Sequence, residues 1–240
     1  MAWTLHEHGP PRTGRSYPYV LMYHSVIEYD DDPYQVTVDP ARFEQQMRWL
    51  ERRGLRGVSM RELMAAGDRR RLVGLTFDDG YEDFLLSVLP ALVRHGFTAT
   101  VFVISGRMGG INVWDPAGPE KQLMTADQVK LAADFGMEIG SHGTLHRPLS
   151  EVDDGDLLDE VAGSRHALRA VSGQDVGGFC YPYGALDARV RQVVRDSGYD
   201  YGCAIWPSAL SSRHALPRTF VGDRDGSLRL AAKRARHALR

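Results

Sequence analysis

Short apolar runs alternate along most of the chain with segments in which apolar residues recur every three or four positions. Short apolar runs bounded by polar or glycine-rich stretches are typical of buried strands, and the longer spacing is typical of helices that bury one face. The predicted strands cover residues 19–24, 56–59, 72–77, 98–104, 137–141, 178–181, 199–204 and 215–221.

Helical patterns fall between most of these strands. The first is predicted to begin at Asp39-Pro40 and carries Phe43, Met47 and Leu50 on one face. The others cover residues 84–95, 126–135, 156–171 and 188–197. Strands separated by helices imply a parallel sheet, and about seven or eight of them predict an α/β fold whose sheet closes into a barrel.

Composition narrows the classes of function. The 240 residues suffice for one barrel, and the formal net charge of −2 gives no support for nucleic-acid binding. Residues 224–240 are locally basic, and we interpret them as a solvated helix face. We find no apolar run long enough to cross a membrane and no secretory signal pattern, so we expect a cytoplasmic protein unless an export signal has been removed. Two cysteines, Cys180 and Cys203, are expected to be free buried thiols.

The run Thr76-Phe77-Asp78-Asp79-Gly80 places two carboxylates directly after a strand. The carboxyl ends of barrel strands carry the chemistry of α/β folds. Consecutive strand residues face opposite ways, so both carboxylates reach one site only if the backbone turns there, and Gly80 permits a turn.

A second polar element, His142-Gly143-Thr144-Leu145-His146, follows the predicted strand 137–141. A single turn would aim both imidazoles at one ion, whereas Gly143 and Pro148 argue against a long helix. Two imidazole nitrogens and one carboxylate oxygen are a usual ligand set for zinc with one position open to water. We therefore predict one divalent metal, with Zn2+ first and Co2+, Ni2+ and Mn2+ as alternatives. Taken singly, each element is as well explained by a solvated turn or a chance histidine pair.

Three segments together resemble the signatures of polysaccharide deacetylases of carbohydrate esterase family 4, the NodB-homology group. They are residues 76–80, residues 141–146 and Tyr181-Pro182-Tyr183-Gly184. The resemblance implies a distorted (β/α) barrel of the glycoside hydrolase/deacetylase type and metal-dependent removal of N-acetyl groups from amino-sugar polymers. It divides the chain into an N-terminal extension (1–17), the deacetylase domain (18–223) and a basic C-terminal helix (224–240).

By matching positions, the resemblance makes Asp78 the general base and Asp79, His142 and His146 the metal ligands. It makes the backbone N–H of Tyr183 a donor to the oxyanion. These roles fit the chemistry, because amide hydrolysis needs an activated water, a stabilised oxyanion and an acid for the leaving amine.

The position of the general acid along this sequence differs from the commoner order of motifs in the family. Usual members supply it from a late Leu-x-x-His, but the late segment here places His214 one residue out of register. Leu21-Met22-Tyr23-His24 fits that motif near the N-terminus, as in the circularly permuted branch similar to exopolysaccharide (poly-N-acetylglucosamine) deacetylases. We predict His24 as the acid, with its pKa raised by a neighbouring carboxylate, and His214 as the second candidate; a core histidine is the alternative for His24.

A further departure is Cys180, where usual members carry an arginine that holds the base. Arg218 is a candidate replacement, and an ordinary surface ion pair is its alternative. The Gly- and Pro-rich residues 105–122 are too long for an ordinary connection and are a candidate wall or lid. Trp114-Asp115 and Trp206 are possible sugar-stacking or wall residues that more often only pack.

Three functions fit these observations. The first is a metal-dependent deacetylase of N-acetylhexosamine glycans or glycoconjugates. The second is a cytoplasmic amide hydrolase acting on a small metabolite, and the third is an inactive glycan-binding module. The intact Asp78, Asp79, His142 and His146 argue against the third, because a binding module needs no general base beside a metal.

Overall fold

The computed structural model describes residues 17–239, so the predicted N-terminal extension lies outside the described residues except for Tyr17. The strands are β1 (Val20–Tyr23), β2 (Ser25–Val26), β3 (Thr37–Val38), β4 (Arg56–Val58), β5 (Leu72–Phe77), β6 (Thr100–Val103), β7 (Glu138–Ser141), β8 (Gly178–Cys180), β9 (Tyr201–Ala204), β10 (Leu216–Pro217) and β11 (Thr219–Phe220). The helices are α1 (Pro40–Glu51), α2 (Met60–Ala65), α3 (Leu89–His95), α4 (Ala126–Asp134), α5 (Asp154–Leu158), α6 (Ser164–Ser172), α7 (Ala188–Asp196) and α8 (Ser227–Ala238). Among the described residues, no helix is long and apolar enough to cross a membrane.

The main sheet is parallel and runs in the order β10-β9-β8-β7-β6-β5-β1-β11, with β4 beside β5. Its two end strands, β10 and β11, are separated along the chain only by Arg218. The segment 216–220 therefore pairs with β9 through its first half and with β1 through its second half. The sheet forms a nearly closed barrel, which confirms the predicted fold class. Arg218 lies at the seam of the barrel, where its end strands β10 and β11 meet.

Helix α1 shows how the sequence pattern builds the outer layer. The Asp39 side chain caps the helix by accepting hydrogen bonds from the backbone N–H groups of Ala41 and Arg42. Phe43, one of the predicted apolar-face residues, is buried and meets the rings of Tyr23 and Phe77 edge-on, at centroid distances of 5.4 and 5.8 Å. Burial of this aromatic face fixes α1 against β1 and β5.

The amino end of the barrel is closed by a buried acid at the start of β7. The Glu138 carboxylate accepts hydrogen bonds from Thr100 Oγ1 at 2.6 Å, from the Arg61 N–H at 2.7 Å and from Tyr201 Oη at 2.9 Å. Each partner stands at the start of β6, α2 or β9. These bonds satisfy the buried Glu138 carboxylate, and the site described below lies at the other end of the barrel.

Two predicted helices contain π-helical turns. The segment Phe84–Val88 precedes α3, where Pro90 has no N–H for a regular helical bond. The segment Asp159–Gly163 separates α5 from α6 and turns Glu160 inward. The sequence pattern did not predict these turns, nor the short strands β2 and β3 or the helix α2. The basic C-terminal helix is present as α8, and both cysteines are free and buried.

We expect Phe43→Ala to lower the free energy of unfolding by about 3–5 kcal/mol, because it empties a site between aromatic rings. Phe135→Ala is the matched control, since Phe135 is 55% exposed, and it should cost less than about 1 kcal/mol. Urea unfolding of the two variants measures both changes. Equal losses would contradict the packing described for α1.

Candidate metal and catalytic site

The two carboxylates that follow β5 lie at the carboxyl end of the barrel. The Asp78 N–H donates to Tyr23 O at 3.0 Å, which continues the pairing with β1. The backbone then turns, because Asp79 has a φ of 71° and Gly80 a φ of 73°. A left-handed conformation costs a residue other than glycine about 1–2 kcal/mol. This turn brings both carboxylates, each buried, to one site.

The histidine pair follows β7 in a turn, as predicted, and His146 also has a positive φ of 63°. His142 Nδ1 donates to the carbonyl oxygen of Cys180 at 2.8 Å, which directs Nε2 toward Asp79. The Glu160 carboxylate holds the intervening loop by accepting from the N–H groups of Thr144 at 2.7 Å and Leu145 at 3.0 Å. A backbone carbonyl from β8 therefore orients His142, and a distant carboxylate holds the loop between the two histidines.

Three possible metal-binding atoms, from Asp79, His142 and His146, lie close together. Asp79 Oδ1 lies 3.3 Å from His142 Nε2 and 3.4 Å from His146 Nε2, and it has no hydrogen bond among the described residues. Two ligands of a tetrahedral zinc ion, each about 2.0–2.1 Å from it, stand roughly 3.3 Å apart. The spacing of the donors and the orphaned carboxylate oxygen therefore fit a divalent metal.

The protonation states of Asp79 and His146 also suit metal binding. Burial lowers the pKa of His146 to about 3, although the Asp79 carboxylate opposes this shift, so the imidazole is neutral at neutral pH. Burial alone would raise the pKa of Asp79, but the neighbouring imidazoles of His142 and His146 outweigh burial and lower it. Burial would likewise lower the pKa of His142, but Cys180 and Asp79 outweigh burial and raise it well above its usual value. Metal ligands must be neutral imidazoles and ionised carboxylates, so a metal binding here displaces a proton from His142.

A second group of possible donors, Asp78, His142 and Cys180, lies next to the first. Burial raises the pKa of the Cys180 thiol to about 11, so it is protonated at neutral pH. Asp78 is already bound by a guanidinium, and the free nitrogen of His142 lies beside Asp79. The first group is therefore the better candidate for holding a metal.

Arg218 spans the barrel seam and binds Asp78 with both ends of its guanidinium. Nη1 donates to Asp78 Oδ1 at 2.6 Å and Nη2 to Oδ2 at 2.8 Å, while Nη1 also reaches Thr76 Oγ1 at 3.0 Å. Arg218 is only 2% exposed, so this contact is not the surface ion pair of the alternative interpretation. Burial would raise the pKa of Asp78, but the charge and hydrogen bonds of Arg218 outweigh burial and lower it.

His24 follows β1, and its Nε2 stands 3.9 Å from Asp78 Oδ2. Its Nδ1 is buried and has no hydrogen-bond partner among the described residues. The pKa of His24 is lowered, because burial outweighs the opposing charges of Asp78 and Asp79. The expected rise in this pKa is therefore wrong in direction: the desolvation cost of the imidazolium exceeds the attraction of the carboxylates.

His214 is not brought to this site. Its Nε2 is 2.9 Å from the carbonyl oxygen of Tyr199, which precedes β9, and its own carbonyl accepts a hydrogen bond from Tyr181 Oη. The start of a strand lies at the amino end of a parallel barrel, opposite the carboxylates.

Tyr183 contributes backbone and ring to the rim of the site. Its φ is 57°, and its N–H makes no hydrogen bond within the described residues. The ring is 39% exposed, and its centroid lies 4.5 Å from that of His146. A free N–H beside the metal donors is available to bind a developing negative charge.

Residues 105–122 form a wall beside the candidate metal ligand His146. The Trp114 ring lies 4.6 Å from the His146 ring, between centroids. Asn112 braces the loop, with Nδ2 donating to Pro119 O and Oδ1 accepting from the Lys121 N–H. Trp114 was recognised in the sequence but not counted as a site residue. Nothing in the local pattern distinguished Glu160 or the carbonyl of Cys180, because their roles depend on distant segments.

Comparisons with known proteins agree with this architecture. The sequence profile of a family described as polysaccharide deacetylase matches residues 65–202, more than half of the chain. A Bacillus subtilis protein, YxkH, whose name describes it as a candidate polysaccharide deacetylase, is 29% identical over 84% of this chain and 70% of its own. A Staphylococcus aureus poly-β-1,6-N-acetyl-D-glucosamine N-deacetylase is 22% identical over 78% of this chain and 68% of its own. The crystal structure of BC0361, a polysaccharide deacetylase from Bacillus cereus, shares the fold with a TM-score of 0.77 and 20% identity, covering 90% of this chain and 68% of that one.

We expect the protein to retain about one equivalent of zinc after desalting, because three ligands form a catalytic-type site. Asp79→Asn and His146→Gln should each weaken zinc binding more than about 100-fold, beyond the 10–100-fold effect of losing an outer partner. His214→Gln is the matched control and should bind as the parent does. Elemental analysis and competition with a chelating dye measure these changes, and tight binding by His146→Gln would contradict the ligand set.

Proposed function

Because this chain belongs to the polysaccharide deacetylase family, we propose that it is a metal-dependent amide hydrolase that removes N-acetyl groups from N-acetylhexosamine glycans or glycoconjugates. The observation that carries the proposal is the juxtaposition of two differently held carboxylates. Asp79 faces the Nε2 atoms of two histidines, whereas Asp78 is bound by Arg218. One carboxylate is suited to a metal and the other to a proton.

Asp79, His142 and His146 would hold the metal, for which zinc is the first candidate. When bound, such an ion lowers the pKa of a water toward about 7 and polarises the amide carbonyl. Asp78 takes the proton of the attacking water as its oxygen bonds to the carbonyl carbon. Arg218 keeps Asp78 ionised and fixes the direction of its oxygens. Thr76 in turn orients Arg218.

The tetrahedral oxyanion accepts a hydrogen bond from the Tyr183 N–H, a type of contact worth roughly 3 kcal/mol. As the C–N bond breaks, the nitrogen needs a proton. Since burial keeps His24 neutral in the resting site, the proton that Asp78 has taken can pass to His24 Nε2, 3.9 Å away, and on to the departing nitrogen. The hydroxyl of the water is then on the acetyl carbon, and its proton is on the amine.

The preference for an amino sugar is supported by the site and by the relatives. One relative carries the name of a poly-β-1,6-N-acetyl-D-glucosamine N-deacetylase. The rings of Trp114 and Tyr183 both contact the His146 ring, with centroid distances of 4.6 and 4.5 Å. Flat aromatic faces at the mouth suit the apolar face of a sugar ring.

We expect Asp78→Asn to retain zinc, because Asp78 is not among the proposed ligands, and to lower kcat about 10²- to 10⁴-fold. The reaction is followed by acetate release from N-acetylglucosamine oligomers. Since the substitution leaves Arg218 buried without its counter-ion, circular dichroism must first show that the variant is folded. A folded, zinc-loaded variant with parental kcat would exclude Asp78 as the base.

His24→Ala should keep the fold and the zinc but lose about 10²- to 10⁴-fold in kcat on an amide. The loss should be at least tenfold smaller on an aryl acetate, whose leaving group departs without a proton. His214→Ala is the control and should leave both rates near the parental values, because that ring lies away from the site. Equal losses of His24→Ala on amide and ester would show that His24 only supports the structure.

A further inference from the structure

A cavity of about 550 Å³ lies between α8 and the segments that follow β2 and β11, and none of the proposed metal ligands or catalytic residues lines it. One wall is the loop that follows β2, with Tyr29 and Asp32, and another is the segment 222–225 that follows β11. The third wall is a face of α8. Pockets of roughly 300–1,000 Å³ are the usual size for small ligands.

The α8 wall is basic. Arg229, Lys233 and Arg236 occupy positions i, i+4 and i+7 and therefore share one helix face, and Arg224 stands before the helix. Among the described residues, the side chains of Arg224, Arg229 and Arg236 make no hydrogen bond or ion pair, whereas Lys233 is paired with Asp225. Three guanidinium groups are thus available to a ligand.

The acidic residues of the cavity are already satisfied by the protein. Asp32 accepts from two backbone N–H groups of its own loop at 3.2 and 2.9 Å. Asp223 accepts from the N–H of Asp39 at 3.0 Å, and Asp225 is paired with Lys233. The carboxylates keep their charges, but their oxygens are held by these bonds, and the four cationic side chains of the lining outnumber the three carboxylates by one.

We propose that this cavity binds a phosphate or diphosphate group joined to the amino sugar whose amide is hydrolysed. The substrate class is then a phosphate-linked glycoconjugate, and this part of the inference rests on the proposed function. Guanidinium groups bind phosphate oxygens in pairs, with a geometry that a lysine does not offer. The interpretation of residues 224–240 as a solvated helix face is replaced, for this side of α8, by that of a binding surface.

Chain connectivity places the cavity close to the reacting groups. Tyr29 follows His24 by five residues, and Gly222 follows Arg218 by four. An extended chain advances at most about 3.6 Å per residue, so Tyr29 lies within roughly 18 Å of His24, and Gly222 lies closer than that to Arg218. In a 2-acetamido sugar 1-phosphate the amide and the phosphate are on adjacent ring carbons, and a diphosphate tail extends away from the amide.

The first test measures binding of inorganic pyrophosphate by calorimetry. Arg229→Glu combined with Arg236→Glu should weaken binding at least tenfold. Arg52→Glu is the control, because Arg52 is exposed at the other end of the barrel, where α1 ends. Measurement on both zinc-loaded and zinc-free protein separates this cavity from direct binding to the metal. No binding by the parent, or unchanged binding by the double variant, would overturn the proposal.

The second test measures selectivity with a nucleoside diphosphate-linked N-acetylglucosamine, a farnesyl diphosphate-linked one and a neutral N-acetylglucosamine oligomer. The ratio of kcat/KM for a diphosphate-linked substrate to that for the neutral oligomer should fall at least tenfold in the double variant and stay constant in Arg52→Glu. The better of the two diphosphate substrates identifies a nucleotide or a lipid carrier. An unchanged ratio would overturn the assignment of substrate class. If zinc-loaded protein released no acetate while pyrophosphate still bound this cavity, the proposed function would fail and the binding site would stand.

Discussion

The buried ion pair of Arg218 and Asp78 links the closure of the barrel to the chemistry at its carboxyl end. Arg218 lies between β10 and β11, where the two ends of the sheet meet, and its guanidinium reaches across to the carboxylate after β5. Removing one partner of such a pair typically costs about 3–5 kcal/mol, because the other charge is left buried alone. Closure of the seam and ionisation of the proposed base therefore depend on the same contact.

Two of the candidate metal ligands and the neighbouring Tyr183 lie on strained backbone that other segments hold in place. Asp79, His146 and Tyr183 all have positive φ values, between 57° and 71°. Such conformations persist only where the surroundings enforce them, and they cluster at functional sites. Here a carboxylate from the π-helical turn, Glu160, binds the loop between the two histidines. The π-helical turn therefore places the side chain that holds the loop between His142 and His146.

Different partners distinguish side chains that look alike in the sequence. Asp78 and Asp79 are neighbours with similar exposure, yet one is paired with a guanidinium and the other faces two imidazoles. Among the histidines, His24 lies near Asp78 without a bond to Nδ1, whereas His142 is oriented by a carbonyl. These differences arise from which strands are adjacent in the barrel, since each partner comes from another strand.

The sequence by itself determined the alternation of strands and helices, the parallel barrel and the two polar turns after β5 and β7, because apolar periodicity and glycine positions act locally. Only the tertiary structure decided that Arg218 meets Asp78 across 140 residues of chain, that His214 lies away from the site and that burial lowers the pKa of His24. The π-helical turn at Glu160 was likewise decided only by the tertiary structure. Long-range pairing and desolvation depend on which segments become neighbours when the barrel closes. A local sequence pattern does not contain that information.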